Sequence, residues 1–82
     1  MKKMIIIGAT SGIGEELARQ AVAKGYRVGG TGRRLDRLES LKEELGDAFH
    51  YREMDVTEYM HASAQLLSLI DEMEGMDIIV LN

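Results

Sequence analysis

The sequence predicts an α/β fold, a doubly wound parallel sheet with helices on both faces, built from about four strands and three helices. Two observations predict this fold class. Largely aliphatic runs at 3–7 and 77–81 are typical of strands buried on both faces of a parallel sheet. Between them, segments of helical periodicity end at Gly25, Gly46 and Gly75, and glycine favours the residue just past a helix end. Right-handed crossovers would then give the strand order 3-2-1-4.

The elements are expected to alternate regularly along the chain. Strands are predicted at about 3–7, 26–31, 49–54 and 77–81. The apolar positions of the three helices follow a helical stripe: Ile13, Leu17, Ala18, Ala21 and Val22; Leu35, Leu38, Leu41 and Leu45; Leu66, Leu67, Ile70 and Met73. Thr57 is the expected N-cap of the third helix. Gly29 and Gly30 interrupt the second strand, which indicates either a bulge or a close approach of backbone or ligand.

Composition favours one small folded domain over residues 1–82. Hydrophobic residues make up 45% and charged residues 29% of the 82, and there is no proline. A net charge of −4 gives no general reason to expect nucleic acid or an anionic membrane as partner, so any anion site must be local. The absence of cysteine excludes disulfides and thiolate chemistry and suits the cytoplasm. His50 and His61 lack partners at metal-ligand spacing, so no metal site is predicted.

Three glycines lie between the first strand and the first helix, at Gly8, Gly12 and Gly14. A helix N-terminus offers free backbone N–H groups and partial positive charge, and residues without Cβ let a phosphate approach both. This junction therefore predicts a seat for a dinucleotide pyrophosphate. The spacing G-x-x-x-G-x-G differs from the common G-x-G-x-x-G fingerprint, and no Gly-Lys-Ser/Thr of a P-loop is present. A plain tight turn between strand and helix is the alternative.

With this spacing, Gly8-Ala9-Thr10-Ser11-Gly12-Ile13-Gly14 resembles the cofactor loop T-G-x-x-x-G-I-G of the short-chain dehydrogenase/reductase family, which has a Rossmann-type fold. Ile7 stands where that family commonly has threonine. The resemblance implies that the cofactor is contacted from this loop by the following residues: Gly8, Thr10, Ser11, Gly12, Ile13 and Gly14.

The end of the second strand, Thr31-Gly32-Arg33-Arg34, bears on the choice between NAD and NADP. An acidic residue about 20 residues after the glycine loop holds the ribose 2′-hydroxyl of NAD, and here Gly32 occupies that place. In the family, members that have an arginine directly after this strand use NADP(H). The resemblance thus implies that Arg33 and Arg34 bind the 2′-phosphate, with the Ser11 hydroxyl adding a contact. A solvated basic pair is the alternative.

Met54-Asp55-Val56-Thr57, after the third strand, is similar to a second segment of the family. The resemblance implies that the Asp55 carboxylate accepts a hydrogen bond from the adenine amino group and that the Val56 backbone N–H meets the ring. The alternative is that Asp55 helps Thr57 to cap the third helix, and the two roles are compatible.

The last stretch, 77–82, resembles the strand that leads into the family's N-N-A-G motif. Asn82 matches the second Asn of that motif and Leu81 replaces the first. The resemblance implies a contact from this end of the strand to the nicotinamide-side ribose. The alternative is that Asn82 is only a polar residue at the end of a strand.

The family's catalytic Ser and Tyr-x-x-x-Lys are not found in these residues. The residues four positions after Tyr26, Tyr51 and Tyr59 are Gly30, Asp55 and Ser63. No catalytic residue is therefore assigned, and the 82 residues alone are expected to be inactive. The resemblance covers about the first third of a family member, so the chain is interpreted as the N-terminal part of an NADP(H)-dependent reductase without its catalytic part.

Such a parent would interconvert a carbonyl and an alcohol by hydride transfer with the nicotinamide, and a homo-oligomer is expected. Two other interpretations remain: a non-catalytic module that binds or senses NADP(H), and a flavodoxin-like doubly wound domain that binds no dinucleotide. An end at Asn82 would leave the last strand as an exposed aliphatic edge, which predicts self-association through 77–81.

Overall fold

The computed structural model describes all 82 residues as one four-stranded parallel sheet with three helices. The elements are β1 (Lys3–Ile7), α1 (Gly12–Ala23), β2 (Arg27–Gly32), α2 (Leu35–Leu45), a 3₁₀ turn (Gly46–Ala48), β3 (Phe49–Glu53), α3 (Tyr59–Met73) and β4 (Ile78–Leu81). The spatial order is β3-β2-β1-β4, so the predicted fold class and strand order are confirmed. No helix is both long enough and apolar enough to cross a bilayer.

Strand β1 lies at the point where the strand order reverses. It pairs with β2 on one side and β4 on the other, so that Ile7 stands opposite both Thr31 and Leu81. After β1 the chain builds outward through β2 and β3, and α3 then carries it back across to β4. In open parallel sheets, ligands bind outside the carboxyl ends of the strands at such a reversal. The fold therefore points to the ends of β1 and β4 as the location of a site.

Two apolar layers cover the sheet, so its central strand β1 is apolar on both faces. Helices α1 and α2 pack on one face and α3 packs on the other. Neighbouring residues of β1 serve different layers: Ile6 belongs to the cluster with α1 and α2, and Ile5 belongs to the cluster with α3. Both side chains are fully buried, as the aliphatic run predicts for a central parallel strand.

Three of the predicted helical stripe positions are exposed, among them Leu35 at 39%. Ile13 is 78% exposed and Leu67 is 67% exposed, whereas Leu69, which the stripe omitted, is fully buried. Each residue advances about 100° around a helix, so the buried line through Leu69 and Met73 leaves Leu67 on the opposite side. Ile13 lies in the first turn of α1, on its outer surface.

The two glycines inside β2 do not form a bulge, because the pairing with β1 and β3 continues without interruption. A Cβ at Gly29 would lie 2.5 Å from the sulfur of Met73, and a Cβ at Gly30 would lie 2.8 Å from the ring of Phe49. A close approach is present at both glycines, but it is not the approach of backbone or ligand that the sequence predicted. It comes from side chains of the core on both faces, because the two layers pack onto this strand more closely than a side chain at either position would allow.

The predicted helix ends are confirmed, but the predicted cap of α3 is wrong. Gly25, Gly46 and Gly75 all have positive φ, between 72° and 119°, just past the helix ends. Helix α3 begins at Tyr59, so the N-cap position belongs to Glu58, and no side chain caps this helix. Thr57 lies in the preceding turn because its N–H and its hydroxyl both donate to Asp55 instead.

Candidate dinucleotide-binding site

A cleft of about 340 Å³ opens at the carboxyl edge of the sheet, where the order of the strands reverses. Its walls come from the ends of β1 and β2 and from residues that follow each of the four strands. Six predicted site residues line it together: Gly8, Thr10, Arg33, Asp55, Val56 and Asn82. Five others lie outside its lining: Ser11, Gly12, Ile13, Gly14 and Arg34. The cleft is thus where the sequence predicted an adenosine site, and the loop of α1 stands beside it.

The three glycines of the first loop have different surroundings in the structure. Gly8 has a φ of 93°, and its N–H donates to the Thr31 carbonyl oxygen at 3.0 Å, which turns the chain sharply after β1. A Cβ at Gly14 would lie 2.2 Å from the Gly8 oxygen, so α1 can approach the strand end only with glycine there. A Cβ at Gly12 would meet no atom within 4 Å. The space above Gly12 is therefore open to a ligand.

The N-terminus of α1 has the properties of an anion seat. The helix begins at Gly12, so the N–H groups of its first turn have no acceptor within the helix. The exposed residues here are consecutive, from Ser11 to Ile13, so the helix end faces solvent. A phosphate placed there would meet free N–H groups and the positive end of the helix dipole without a side chain in the way. The residues present therefore fit a dinucleotide pyrophosphate.

Asn82 ties the end of β4 to the glycine loop. Its Nδ2 donates to the Gly8 carbonyl oxygen at 3.0 Å and to the Ser11 hydroxyl, and its own N–H donates to the Ile7 oxygen. Asn82 is therefore more than a polar residue that ends a strand. The Ser11 hydroxyl also donates to the Gly8 oxygen, at 3.3 Å, so it is engaged within the loop. The structure does not bring Ser11 into the cleft that Arg33 lines.

The two arginines after β2 have different surroundings. Arg33 lines the cleft and also an adjoining pocket of about 300 Å³ beside Glu53 and Glu58. Arg34 occupies the N-cap position of α2, and its side chain makes no hydrogen bond within the chain and lines neither space. Arg33 is thus the better placed of the two to meet an anion in the cleft.

A side chain at position 32, where an NAD site has its carboxylate, would require the Thr10 side chain to move. A Cβ at this position would lie 2.7 Å from Cγ2 of Thr10, so the Thr10 side chain fills the space that an acidic side chain would enter. The charged residues that directly follow β2 are both cationic, Arg33 and Arg34. This arrangement does not repel a phosphate on the ribose 2′-oxygen.

Asp55 shapes the turn after β3 and stays ionised. Its Oδ1 accepts hydrogen bonds from the Thr57 hydroxyl at 2.7 Å and from the Thr57 N–H at 2.9 Å. These two bonds, with a smaller contribution from the positive charge of Arg33, hold the pKa of the Asp55 carboxyl below its usual value. Oδ2 accepts no hydrogen bond within the chain, so the structural role leaves one oxygen free for a ligand.

Two further residues of this region were not singled out by the sequence. Arg37 Nη1 donates to the Thr10 carbonyl oxygen at 3.3 Å, which connects α2 to the glycine loop. Arg33 precedes the N-cap of α2, so helical spacing does not relate the two arginines, and the sequence pattern gives no sign of this contact. Thr31 lines the cleft and is 1% exposed, with no hydrogen bond to its hydroxyl. Sequence pattern gives no sign of such a hydroxyl.

Comparison with known proteins agrees with this geometry. A sequence model of the short chain dehydrogenase family matches residues 2–82. The chain is 46% identical over 79 residues to serine 3-dehydrogenase of Agrobacterium fabrum, and 39% identical over 79 residues to NADP-dependent 3-hydroxy acid dehydrogenase YdfG of Escherichia coli. Each match covers 96% of this chain and 32% of the relative, so the chain spans about a third of the length of these relatives.

Solved structures give the same result. The closed form of serine dehydrogenase complexed with NADP⁺ superimposes with a TM-score of 0.86 at 38% identity, over 94% of this chain and 31% of that one. An actinorhodin polyketide ketoreductase with NADPH gives a TM-score of 0.89 at 30% identity, over 99% of this chain and 32% of that one. The fold, with its cleft at the strand reversal, is a Rossmann-like α/β fold. The chain belongs to the short-chain dehydrogenase/reductase family.

Proposed function

We propose that the full gene product is an NADP(H)-dependent oxidoreductase that interconverts a carbonyl and an alcohol. In this proposal residues 1–82 form the adenosine and pyrophosphate half of the cofactor site. The choice of NADP(H) over NAD(H) rests on one observation at the end of β2. There, the Thr10 side chain fills the space beside Gly32, and Arg33 lines the cleft. A 2′-phosphate would find the Arg33 guanidinium there, and position 32, where an NAD site has its carboxylate, is glycine.

Each part of the cofactor has its own proposed contacts. The pyrophosphate binds to the first-turn N–H groups of α1 over Gly12, and the 2′-phosphate binds to Arg33. The adenine meets the free Oδ2 of Asp55 and the backbone of Val56, while Asn82 holds the glycine loop and lies at the side of the nicotinamide ribose. When bound, the nicotinamide supplies or receives the hydride.

The chain's own part in this function is to bind and orient the cofactor. Its three tyrosines lie outside the cleft, and none has lysine four residues further on. No residue described here is therefore given the role of proton donor to the substrate. The relatives support an oxidoreductase, because the matched proteins are named as dehydrogenases, among them an NADP-dependent one. Their names also propose a substrate class for a first screen, serine and other 3-hydroxy acids.

A module that binds NADP(H) without catalysis is the second candidate, and a Tyr-x-x-x-Lys further along the full gene product would favour the enzyme over it. Calorimetric titration of the full gene product with NADPH and NADH, followed by an assay of NADP⁺ reduction with 3-hydroxy acids, separates the candidates. We expect NADPH to bind at least about tenfold more tightly than NADH, since a charge-assisted hydrogen bond contributes roughly 1.5–3 kcal/mol.

Turnover of NADP⁺ with an alcohol substrate would support the enzyme, whereas tight binding with no turnover across a broad alcohol and carbonyl panel would support the sensing module. Equal affinities, or tighter NADH, would contradict the cofactor assignment. No binding of either cofactor would leave only a doubly wound domain with another role. One solved relative, a 3-ketoacyl-(acyl-carrier-protein) reductase from Brucella melitensis, is complexed with NADH, so the NADH titration is a necessary arm of the test.

A further inference from the structure

Thr31 is the one buried residue, glycines apart, whose side chain is polar. The residue is 1% exposed, and its Oγ1 has no hydrogen-bond partner in the chain. Its backbone carbonyl, by contrast, accepts from the N–H groups of both Gly8 and Ala9, at 3.0 and 2.8 Å. A buried hydroxyl without a partner lowers stability, because it has lost its hydrogen bonds to water and gained none in return.

The surroundings of Thr31 explain why no partner lies within the chain. Thr31 is on the face of the sheet that α3 covers, as is Gly29 two residues before it, which packs against Leu69 and Met73. In the sheet it stands opposite Ile7 and Arg52. The Ile7 side chain is apolar, and the Arg52 guanidinium is committed to Ser68 and Glu72 of α3.

The cleft is where a partner for this hydroxyl can enter. Thr31 stands one residue before the end of β2 and lines the cleft together with Asp55 and Val56, the residues proposed to meet the adenine. A valine would fill the same space in the strand without leaving a hydroxyl unsatisfied. Buried polar groups in proteins nearly always have a partner, so an isolated one beside a ligand cleft points to the ligand.

We propose that the Thr31 hydroxyl donates a hydrogen bond to an acceptor of the adenosine half of the bound dinucleotide, a ring nitrogen or a ribose oxygen. This inference rests on the proposed function, since it requires a dinucleotide in the cleft. It adds a binding residue from the strand itself to those of the loops. The contact stabilises only the complex, because the hydroxyl is unsatisfied before the ligand binds.

The test compares Thr31→Val, which keeps the shape and removes the hydroxyl, with Thr31→Ser, which keeps the hydroxyl. For the full gene product, Kd is measured by calorimetry with NADPH and with 2′,5′-ADP, and Tm is measured without ligand. We expect Thr31→Val to raise both Kd values by about threefold to tenfold. Its ligand-free Tm should be unchanged or higher, and Thr31→Ser should bind nearly as tightly as the wild type.

Three results would overturn the inference: unchanged Kd values for Thr31→Val, a rise for NADPH without one for 2′,5′-ADP, or a lower ligand-free Tm for Thr31→Val. The last would show that the hydroxyl has a partner within the protein. The wild-type titration separates this inference from the function on which it rests. If the wild type binds NADPH and Thr31→Val binds equally well, only the role of Thr31 is rejected, whereas a wild type that binds no NADPH removes both.

Discussion

A Cβ added at Gly14 would lie 2.2 Å from the carbonyl oxygen of Gly8, a distance that no pair of unbonded atoms of this kind can adopt. The same addition at Gly12, two residues earlier, would meet no atom within 4 Å. Gly14 is therefore required by the fold itself, since it lets α1 approach the end of β1. Gly12 is not, and its lack of a side chain has meaning only for a ligand that comes close to the backbone.

Alanine substitutions at these two glycines should consequently separate folding from binding. Gly14→Ala should lower the free energy of unfolding by about 1–3 kcal/mol, the usual cost of overpacking a site whose neighbour is backbone. Gly12→Ala should leave it unchanged or raise it by about 0.5–1 kcal/mol, because alanine is the better residue in a helix. Urea unfolding of both variants measures the difference. Equal losses of stability would contradict the assignment of separate roles.

The same pair gives a prediction for cofactor affinity. Gly12→Ala, although stable, should bind NADPH more weakly because its methyl group stands where the phosphate would approach the helix N-terminus. The affinity is measured by titration at a temperature where both proteins are folded. Wild-type affinity in this variant would show that the phosphates do not lie over Gly12.

Arg33 and Arg34 should differ in their effect on the choice of cofactor, because only Arg33 lines the cleft. Arg33→Ala should weaken NADPH binding by about tenfold to a hundredfold and leave NADH binding nearly unchanged, since the lost contact is a charge-assisted hydrogen bond to the 2′-phosphate. Arg34→Ala is the matched control, because it removes the same positive charge from the next residue of the chain. A larger loss for Arg34→Ala would reverse the assignment that the geometry favours.

The fold was predictable from sequence because its determinants are local. Aliphatic runs predict buried parallel strands, and glycines past the helix ends predict where the helices stop; both are confirmed, as is the strand order that the crossover rule implies. The details that failed depend on tertiary contacts. Leu67 and Leu69 are equally apolar, and only the angle at which α3 packs on the sheet decides that Leu69 is the buried one.

The location of the candidate site was also predictable from the sequence, but its detailed contacts were not. Residues that follow strand ends, such as Arg33, Asp55 and Asn82, do meet in one cleft, because the carboxyl ends of parallel strands share one edge. The partners of individual side chains were not predictable. The Ser11 hydroxyl is engaged with Asn82 and Gly8, and the Thr31 hydroxyl has no partner, because both depend on how loops more than twenty residues apart approach each other.

The ionic cluster between β3 and α3 should make stability depend on pH. Glu72 accepts from Arg52 Nη2 at 2.8 Å and lies 2.5 Å from His50 Nδ1. The hydrogen bond from Arg52, followed by that with His50, lowers the pKa of the Glu72 carboxyl from its ordinary value of 4.5. A lowered pKa in the folded state means that the cluster stabilises the protein above pH 4.5 and that this stabilisation is lost as the pH falls through the folded-state pKa.

Glu72→Gln should therefore lower the free energy of unfolding at pH 7 by about 1 kcal/mol or less, since the cluster is partly exposed. The difference from the wild type should shrink as the pH falls below 4.5. Thermal unfolding across a pH series measures it. Glu39→Gln serves as the control, because Glu39 is exposed within α2 and its carboxylate makes no ion pair. A difference that persists or grows in acid would contradict the role of the Glu72 charge.

The 82-residue chain should self-associate through β4, which forms one edge of the sheet and exposes Leu81 by 80% and Ile79 by 43%. An unprotected aliphatic edge offers free backbone groups to a second strand. Ile79→Lys should reduce the association, because a charge on the edge opposes pairing with another chain. Met60→Lys on α3, a residue that is 81% exposed and far from the edge in sequence, is the matched control. Light scattering at high micromolar concentration distinguishes the outcomes: a monomeric wild type, or equal loss of association in both variants, would contradict pairing through β4.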